Sequence, residues 1–251
     1  MDAETAPEVR MSRHRLTLIG LLGASLLAAG ALAGCASGAA SAPSATSSTQ
    51  DAEASAPGAD VAAAWVDAGR AIAVVTYGSS SCVPVVEGES TVANGVLTVT
   101  LADAQRDACT RDMAPRATLV PLPAGVDAAQ PLAVTVSGAV EGKTRLDGLA
   151  SVPAAPADLT ASAGWVDRSM VAIVTYGSSG CVPTVESVTS QGETVEVQFA
   201  TPPADQICTM DFAPRVTLAD IGREAGQGDV SLVLSGGGVQ VTDPVPVLGT
   251  R

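Results

Sequence analysis

Val75-Thr-Tyr-Gly-Ser-Ser-Ser-Cys-Val-Pro-Val-Val-Glu87 and Val174-Thr-Tyr-Gly-Ser-Ser-Gly-Cys-Val-Pro-Thr-Val-Glu186 are two readings of one segment. Upstream, Trp65-Val-Asp67 recurs as Trp165-Val-Asp167. Downstream, Cys109-Thr-Arg-Asp-Met-Ala-Pro-Arg-Ala-Thr-Leu119 recurs as Cys208-Thr-Met-Asp-Phe-Ala-Pro-Arg-Val-Thr-Leu218. The offset is 100 at the tryptophan and 99 at both later segments, so only a single-residue gap separates these stretches of the copies. Self-similarity at a nearly fixed spacing is the mark of an internal duplication.

Each copy reads as strands. Ile72–Tyr77 and Val171–Tyr176 are short, apolar and β-branched, and each ends at a Gly-Ser turn. Val83–Glu87 and Val182–Glu186 follow. Val96–Leu101 and Val195–Phe199 alternate with period two, as half-buried strands do. Pro115 and Pro214 bias the chain towards extended starts for Arg116–Val120 and Arg215–Leu218. Leu132–Val136 and Val230–Leu234 close the units, and no stretch carries capped helical periodicity. The pattern predicts an all-β chain of two tandem small antiparallel β-sandwich or barrel-like domains, each folding by itself. Repeat 1 spans 59–157, including the linker Val152-Pro-Ala-Ala-Pro-Ala157, and repeat 2 spans 158–251. The alternative is one larger β structure in which the copies pair edges.

Of five cysteines, Cys82, Cys109, Cys181 and Cys208 fall inside the repeats, 27 apart in each copy. Four cysteines allow three pairings. Duplication favours Cys82–Cys109 and Cys181–Cys208, because each copy then holds a complete bridge. A loop of that length contributes roughly 3–4 kcal/mol on the chain-entropy model. Metal or redox chemistry is the rival reading. It lacks a CxxC pair, and the single histidine, His14, precedes the repeats. No metal site and no cofactor is therefore expected.

The fifth cysteine has a different setting. Arg13-His-Arg15 precedes the apolar run Leu16–Leu32, and Leu32-Ala-Gly-Cys35 follows directly. Basic-then-apolar order ending in small residues is that of a secretory signal. Leu32–Cys35 resembles the lipobox of bacterial lipoproteins. The resemblance implies a signal peptide over 1–34, lipidation of Cys35 and a place on the extracytoplasmic face of the cell membrane. Met11 is an alternative start to Met1. Residues 35–58, rich in Ser, Ala and Pro, read as a flexible tether. An exported location permits disulfides. The Tyr-Gly-Ser-Ser-x-Cys and Ala-Pro-Arg segments resemble repeat modules of high-GC Gram-positive lipoproteins, a resemblance that implies no activity.

The chain carries 13 basic against 26 acidic residues, a net charge of -13. Such a chain is repelled by phosphate backbones, which excludes nucleic acid as a partner class. The expected partners are the membrane, through the lipid, and an envelope ligand or protein.

The candidate ligand-binding residues are Tyr77, Ser79 and Arg116, with Tyr176, Ser178 and Arg215 in the second copy. Consecutive Gly and Ser residues expose backbone N–H groups that could hold an anion. A tight connection leading into a disulfide uses the same residues. No catalytic residue is expected. A serine nucleophile needs a base, and beyond His14 the chain offers only Lys143, in a segment that does not recur. Glu87, Asp112 and Arg116 recur as Glu186, Asp211 and Arg215. They read as an ion pair or turn cap more readily than as acid–base machinery. A lone tryptophan per unit, Trp65 or Trp165, reads as core rather than as a sugar platform. The functional reading is a non-enzymatic binding or adhesion module, with a structural or accessory envelope scaffold as the alternative. An open groove lined by Tyr77 and Arg116, or by Tyr176 and Arg215, separates the two readings.

Overall fold

The computed structural model describes residues 61–154, 159–191 and 194–251. The signal peptide, Cys35, the tether and the boundary at 157 and 158 lie outside the described residues. Among the described residues the chain is all-β, with one 3-10 turn at Asp67–Gly69 and no α-helix. The first copy contributes β1 (Ala62–Val66), β2 (Ala71–Gly78), β3 (Val85–Val86), β4 (Thr91–Ala93), β5 (Val96–Ala102), β6 (Ala114–Pro121), β7 (Leu132–Gly138) and β8 (Gly142–Leu146). The second contributes β9 (Ser162–Trp165), β10 (Met170–Gly177), β11 (Val185–Gln191), β12 (Thr194–Phe199), β13 (Ala213–Asp220), β14 (Ser231–Gly236) and β15 (Val245–Leu248).

The copies repeat one strand plan. In the first, β1-β2-β6 form one sheet, and β3-β5-β7-β8 form another with β4 beside β5. In the second, β9-β10-β13 and β11-β12-β14-β15 follow the same orders, and β15 pairs with β9 to join them. Each copy has its own core. Trp65, Ile72 and Val74 from one sheet meet Leu97, Val99 and Leu101 from the other. Trp165, Val171 and Ile173 meet Val195, Val197 and Phe199 in the same way. Both tryptophans are buried core residues. The Trp65 indole donates to the Asp147 carbonyl at 2.8 Å.

The expectation of purely antiparallel units needs correction. β5 pairs β7, β12 pairs β14, and β15 pairs β9, all in parallel. The reason is connectivity. The chain leaves β5 for β6 in the other sheet before returning as β7, and such a crossover brings a strand back in the same direction.

The expectation of two separate sandwich or barrel domains also needs correction. The described residues fall within one compact unit. A third apolar cluster explains this. It joins Ala64, Val66, Ala71 and Ala73 of the first copy to Ala172 and Val174 of the second. β2 is therefore buried on both faces, with Ile72 and Val74 turned to their own core and Ala71 and Ala73 turned to the other copy. Strands covered on both faces read as unbroken apolar runs, whereas β5, covered on one, alternates. Approach at the joint is close because its side chains are small. A Cβ built at Gly164 runs into the Trp65 carbonyl oxygen. The Asp67 amide donates to Ser162 Oγ across the joint at 2.9 Å.

The joint yields a prediction. Gly164→Ala drives a methyl into backbone, which no side-chain rotation relieves, and should cost about 3 kcal/mol. Gly226, with nothing within 4 Å of its Cβ position, is the control, and Gly226→Ala should stay within about 0.5 kcal/mol. Urea denaturation measures both. Equal midpoints for the two variants would show that the joint is looser than described.

Candidate functional site

Both expected disulfides are present, Cys82–Cys109 and Cys181–Cys208. Each ties the segment after the β2-type strand to the segment before the β6-type strand, and the candidate residues gather around that tie.

The Gly-Ser loop does hold an anion, but an internal one. The Ser80 amide donates to Asp112 Oδ1 at 3.1 Å, and the Ser81 amide donates to Thr110 Oγ1 at 3.4 Å. Thr110 Oγ1 in turn donates to Asp112 Oδ1. The second copy repeats the clamp. Ser179 N–H reaches Asp211 Oδ1 at 3.0 Å, Gly180 N–H reaches Thr209 Oγ1 at 3.0 Å, and Thr209 donates to Asp211. Ser79 and Ser178 are engaged with the same threonines, at 2.9 and 2.8 Å. The hydrogen bonds from Ser80, then from Thr110, hold the Asp112 carboxyl well below the usual carboxylate range. The bonds from Ser179 and Thr209 lower Asp211 to about 2. The loop amides are therefore filled by a carboxylate of the same copy, 32 residues further along the chain.

The arginines do something other than pair with these acids. Arg116 donates to the Cys82 carbonyl at 2.6 Å, to the Ser79 carbonyl at 3.3 Å and to Thr76 Oγ1 at 3.3 Å. Arg215 donates to the Cys181 carbonyl at 2.9 Å, the Tyr176 carbonyl at 3.1 Å and Thr175 Oγ1 at 3.5 Å. The expected ion pair of Arg116 with Asp112 or Glu87 does not form, because backbone carbonyls of the turn occupy the guanidinium. Glycine makes room for it: a Cβ at Gly78 would sit 2.7 Å from Arg116 Cζ, and one at Gly177 would sit 2.7 Å from Arg215 Cζ. Arg215 is only 7% exposed, and its Nε lacks a hydrogen-bond partner among the described residues. Desolvation pushes its pKa below the ordinary value, yet a guanidinium stays charged at neutral pH. A buried cation balanced by dipoles alone favours a nearby anion.

Beside Arg215 lies a cleft of about 580 Å³. Tyr176, Ser178, Phe212 and Arg215 line one side, and residues 237–246 line the other. Three of the six candidate residues thus meet at one opening. Tyr176 and Phe212 stack with ring centroids 6.3 Å apart and planes at 22°. Asp243 is the one carboxylate in the lining. The cleft depends on a difference between the copies. Three residues, 139–141, join β7 to β8, whereas eight, 237–244, join β14 to β15. Gly237 and Gly238, at φ of 56° and 71°, carry that longer turn through left-handed conformations.

The second copy is also more apolar at its tip. Ile207, Met210 and Phe212 are exposed around Cys208, where the first copy has Ala108, Arg111 and Met113. Phe212, at 64% exposed, is a surface residue. Phe199 is core, and its structural counterpart is Leu101. Phe199 faces Gly236 across the parallel pair as Leu101 faces Gly138.

Glu186 accepts from Gln198 Nε2 at 3.4 Å, and no hydrogen bond links it to Asp211 among the described residues. Lys143 lies exposed on β8. No group of three or more metal-ligating side chains exists among the described residues. No family model, no curated protein and no solved structure matches this chain.

Proposed function

We propose that the chain is a lipid-anchored extracytoplasmic lipoprotein that works as a non-enzymatic binding module, with its ligand in the cleft beside the Cys181–Cys208 bridge. The observation that supports binding is the cleft lined by Tyr176, Phe212 and Arg215. An aromatic wall with a buried guanidinium that forms no ion pair among the described residues suits a small ligand with an apolar body and a negative end. The scaffold reading draws on a different observation, the self-filled Gly-Ser clamps, which spend their hydroxyls and amides on the protein itself. The anchor reading rests on Leu32-Ala-Gly-Cys35 and its preceding apolar run.

The aromatic sulfonate 8-anilinonaphthalene-1-sulfonate is a probe of the matching chemistry. Titrated into the full chain in equilibrium dialysis, it should bind saturably. Phe212→Ala should weaken it by about tenfold, the loss of one aromatic contact, while Met113→Ala in the first copy leaves it unchanged. Equal affinity in both variants would remove the cleft from the proposal.

The anchor has its own test. Expressed in a bacterium with lipoprotein export, the wild-type chain should partition into the detergent phase and Cys35→Ala into the aqueous phase or remain unprocessed. Identical partitioning would end the lipobox reading.

A further inference from the structure

Where the two copies meet, a second and larger hollow opens, a groove of about 1210 Å³ lined from both. It shares Arg215 with the cleft and is otherwise lined by different residues. Its floor follows two strand edges. β6 is paired only by β2, and β13 only by β10, so each ends its sheet. Residues 115–119 and 214–218 line the groove in unbroken succession. A sheet face presents every second residue, so a consecutive run means that the groove lies along the edges themselves. Strand edges carry backbone donors and acceptors able to take another strand.

The walls and the charge narrow the occupant. Val85 and Val182, each about half exposed, stand on opposite copies along the groove. The only ionisable side chains in the lining are Arg106, Arg116 and Arg215. The chain has 26 acidic residues, and none of them lines this groove. No ion pair joins these three arginines to a carboxylate among the described residues. A protein of net charge -13 has thus gathered three arginines that pair with no carboxylate along one edge-lined channel, Arg116 and Arg215 bonded to turn carbonyls and Arg106 exposed.

We infer that the inter-copy groove binds an extended acidic peptide, by adding it as a strand to the edge of β6 or β13 with its carboxylates towards the arginines. An extended chain turns alternate side chains to opposite sides. Acidic residues alternating with apolar ones therefore meet the arginines and the valine walls at once. Pocketed side chains and main-chain hydrogen bonds together form a known mode of peptide recognition. A flexible polyanion without amides satisfies the charge and leaves the edges unused, so a peptide is favoured.

The test uses the full chain in detergent and a fluorescent peptide of alternating Glu and Val, eight residues long to match β6. Anisotropy should show saturable binding that weakens as salt rises. Replacing Glu by Lys should weaken it by at least about tenfold, and N-methylation of alternate amides should abolish it. Arg106 is exposed and makes no hydrogen bond through its guanidinium among the described residues, so Arg106→Glu keeps the fold and should also cost about tenfold. Equal binding of the Glu and Lys peptides, full binding by the N-methylated peptide, or unchanged binding by Arg106→Glu would each overturn the inference. So would binding of inorganic polyphosphate with no binding of the peptide. Arg106 lies outside the cleft and Phe212 outside the groove. A loss in Phe212→Ala without one in Arg106→Glu would therefore move the peptide to the cleft, ending this inference and leaving the proposed function standing.

Discussion

Two strands from different copies, β1 and β9, come so close that the Trp65 carbonyl oxygen occupies the space a side chain at position 164 would need. Much of the rest of the architecture depends on that contact. Close approach requires small residues, and Ala64, Ala71, Ala73 and Ala172 supply them. It also requires the duplicated strands to differ at one place. Ala64 and Gly164 hold equivalent positions, one before each tryptophan, and only the second has given up its Cβ. A duplicated pair meeting face to face does not need identical surfaces, and here the asymmetry lets one backbone seat against the other. The same packing leaves β6 and β13 as neighbouring sheet edges, which is what creates a channel between the copies.

Shared and divergent features divide along the same line. Around each disulfide the Thr-x-Asp clamp is repeated, and in both copies the arginine under the Gly-Ser turn donates to the carbonyl of the first cysteine. These contacts close the turn and fix the bridge, so either copy would lose its loop geometry without them. The parts that differ are exposed. Ile207, Met210 and Phe212 replace Ala108, Arg111 and Met113, and the connection after β14 is longer than its counterpart. Divergence concentrated at one copy's tip, over a retained frame, is the pattern expected when binding rather than stability distinguishes the copies.

Much of this was legible from residues. The duplication, the strand positions and the two bridges followed from repeated segments and cysteine spacing, and the buried tryptophans from their isolation. The joint was present as a signal too, since Ala71–Val75 is apolar without alternation, but an unbroken apolar run does not say what covers its second face. Parallel pairing was hidden because period-two alternation is the same for either direction. The match of Phe199 with Leu101 was hidden by a single-residue gap, and in a strand one residue turns a side chain from core to solvent. β8 and β15 were missed because their sequences, Gly142–Leu146 and Val245–Leu248, share no residues that reveal their equivalence. The Gly-Ser segment reads equally as a tight connection and as a seat for an outside anion; Asp112 and Asp211, which take its amides, lie more than thirty residues on, and sequence distance gives no hint of that contact.

Two copies of one unit fold as a single body through their shared joint. Each copy holds one buried tryptophan, so each can be made to report alone. In Trp165→Phe the fluorescence of Trp65 follows the first copy, and in Trp65→Phe that of Trp165 follows the second. Urea unfolding of each variant, read by fluorescence and by far-ultraviolet circular dichroism, tests the claim. Within each variant the local tryptophan signal and the whole-chain β signal should unfold in one coincident transition. Two transitions, with the tryptophan tracking only one of them, would show that the copies are independent domains and that the joint does not couple them.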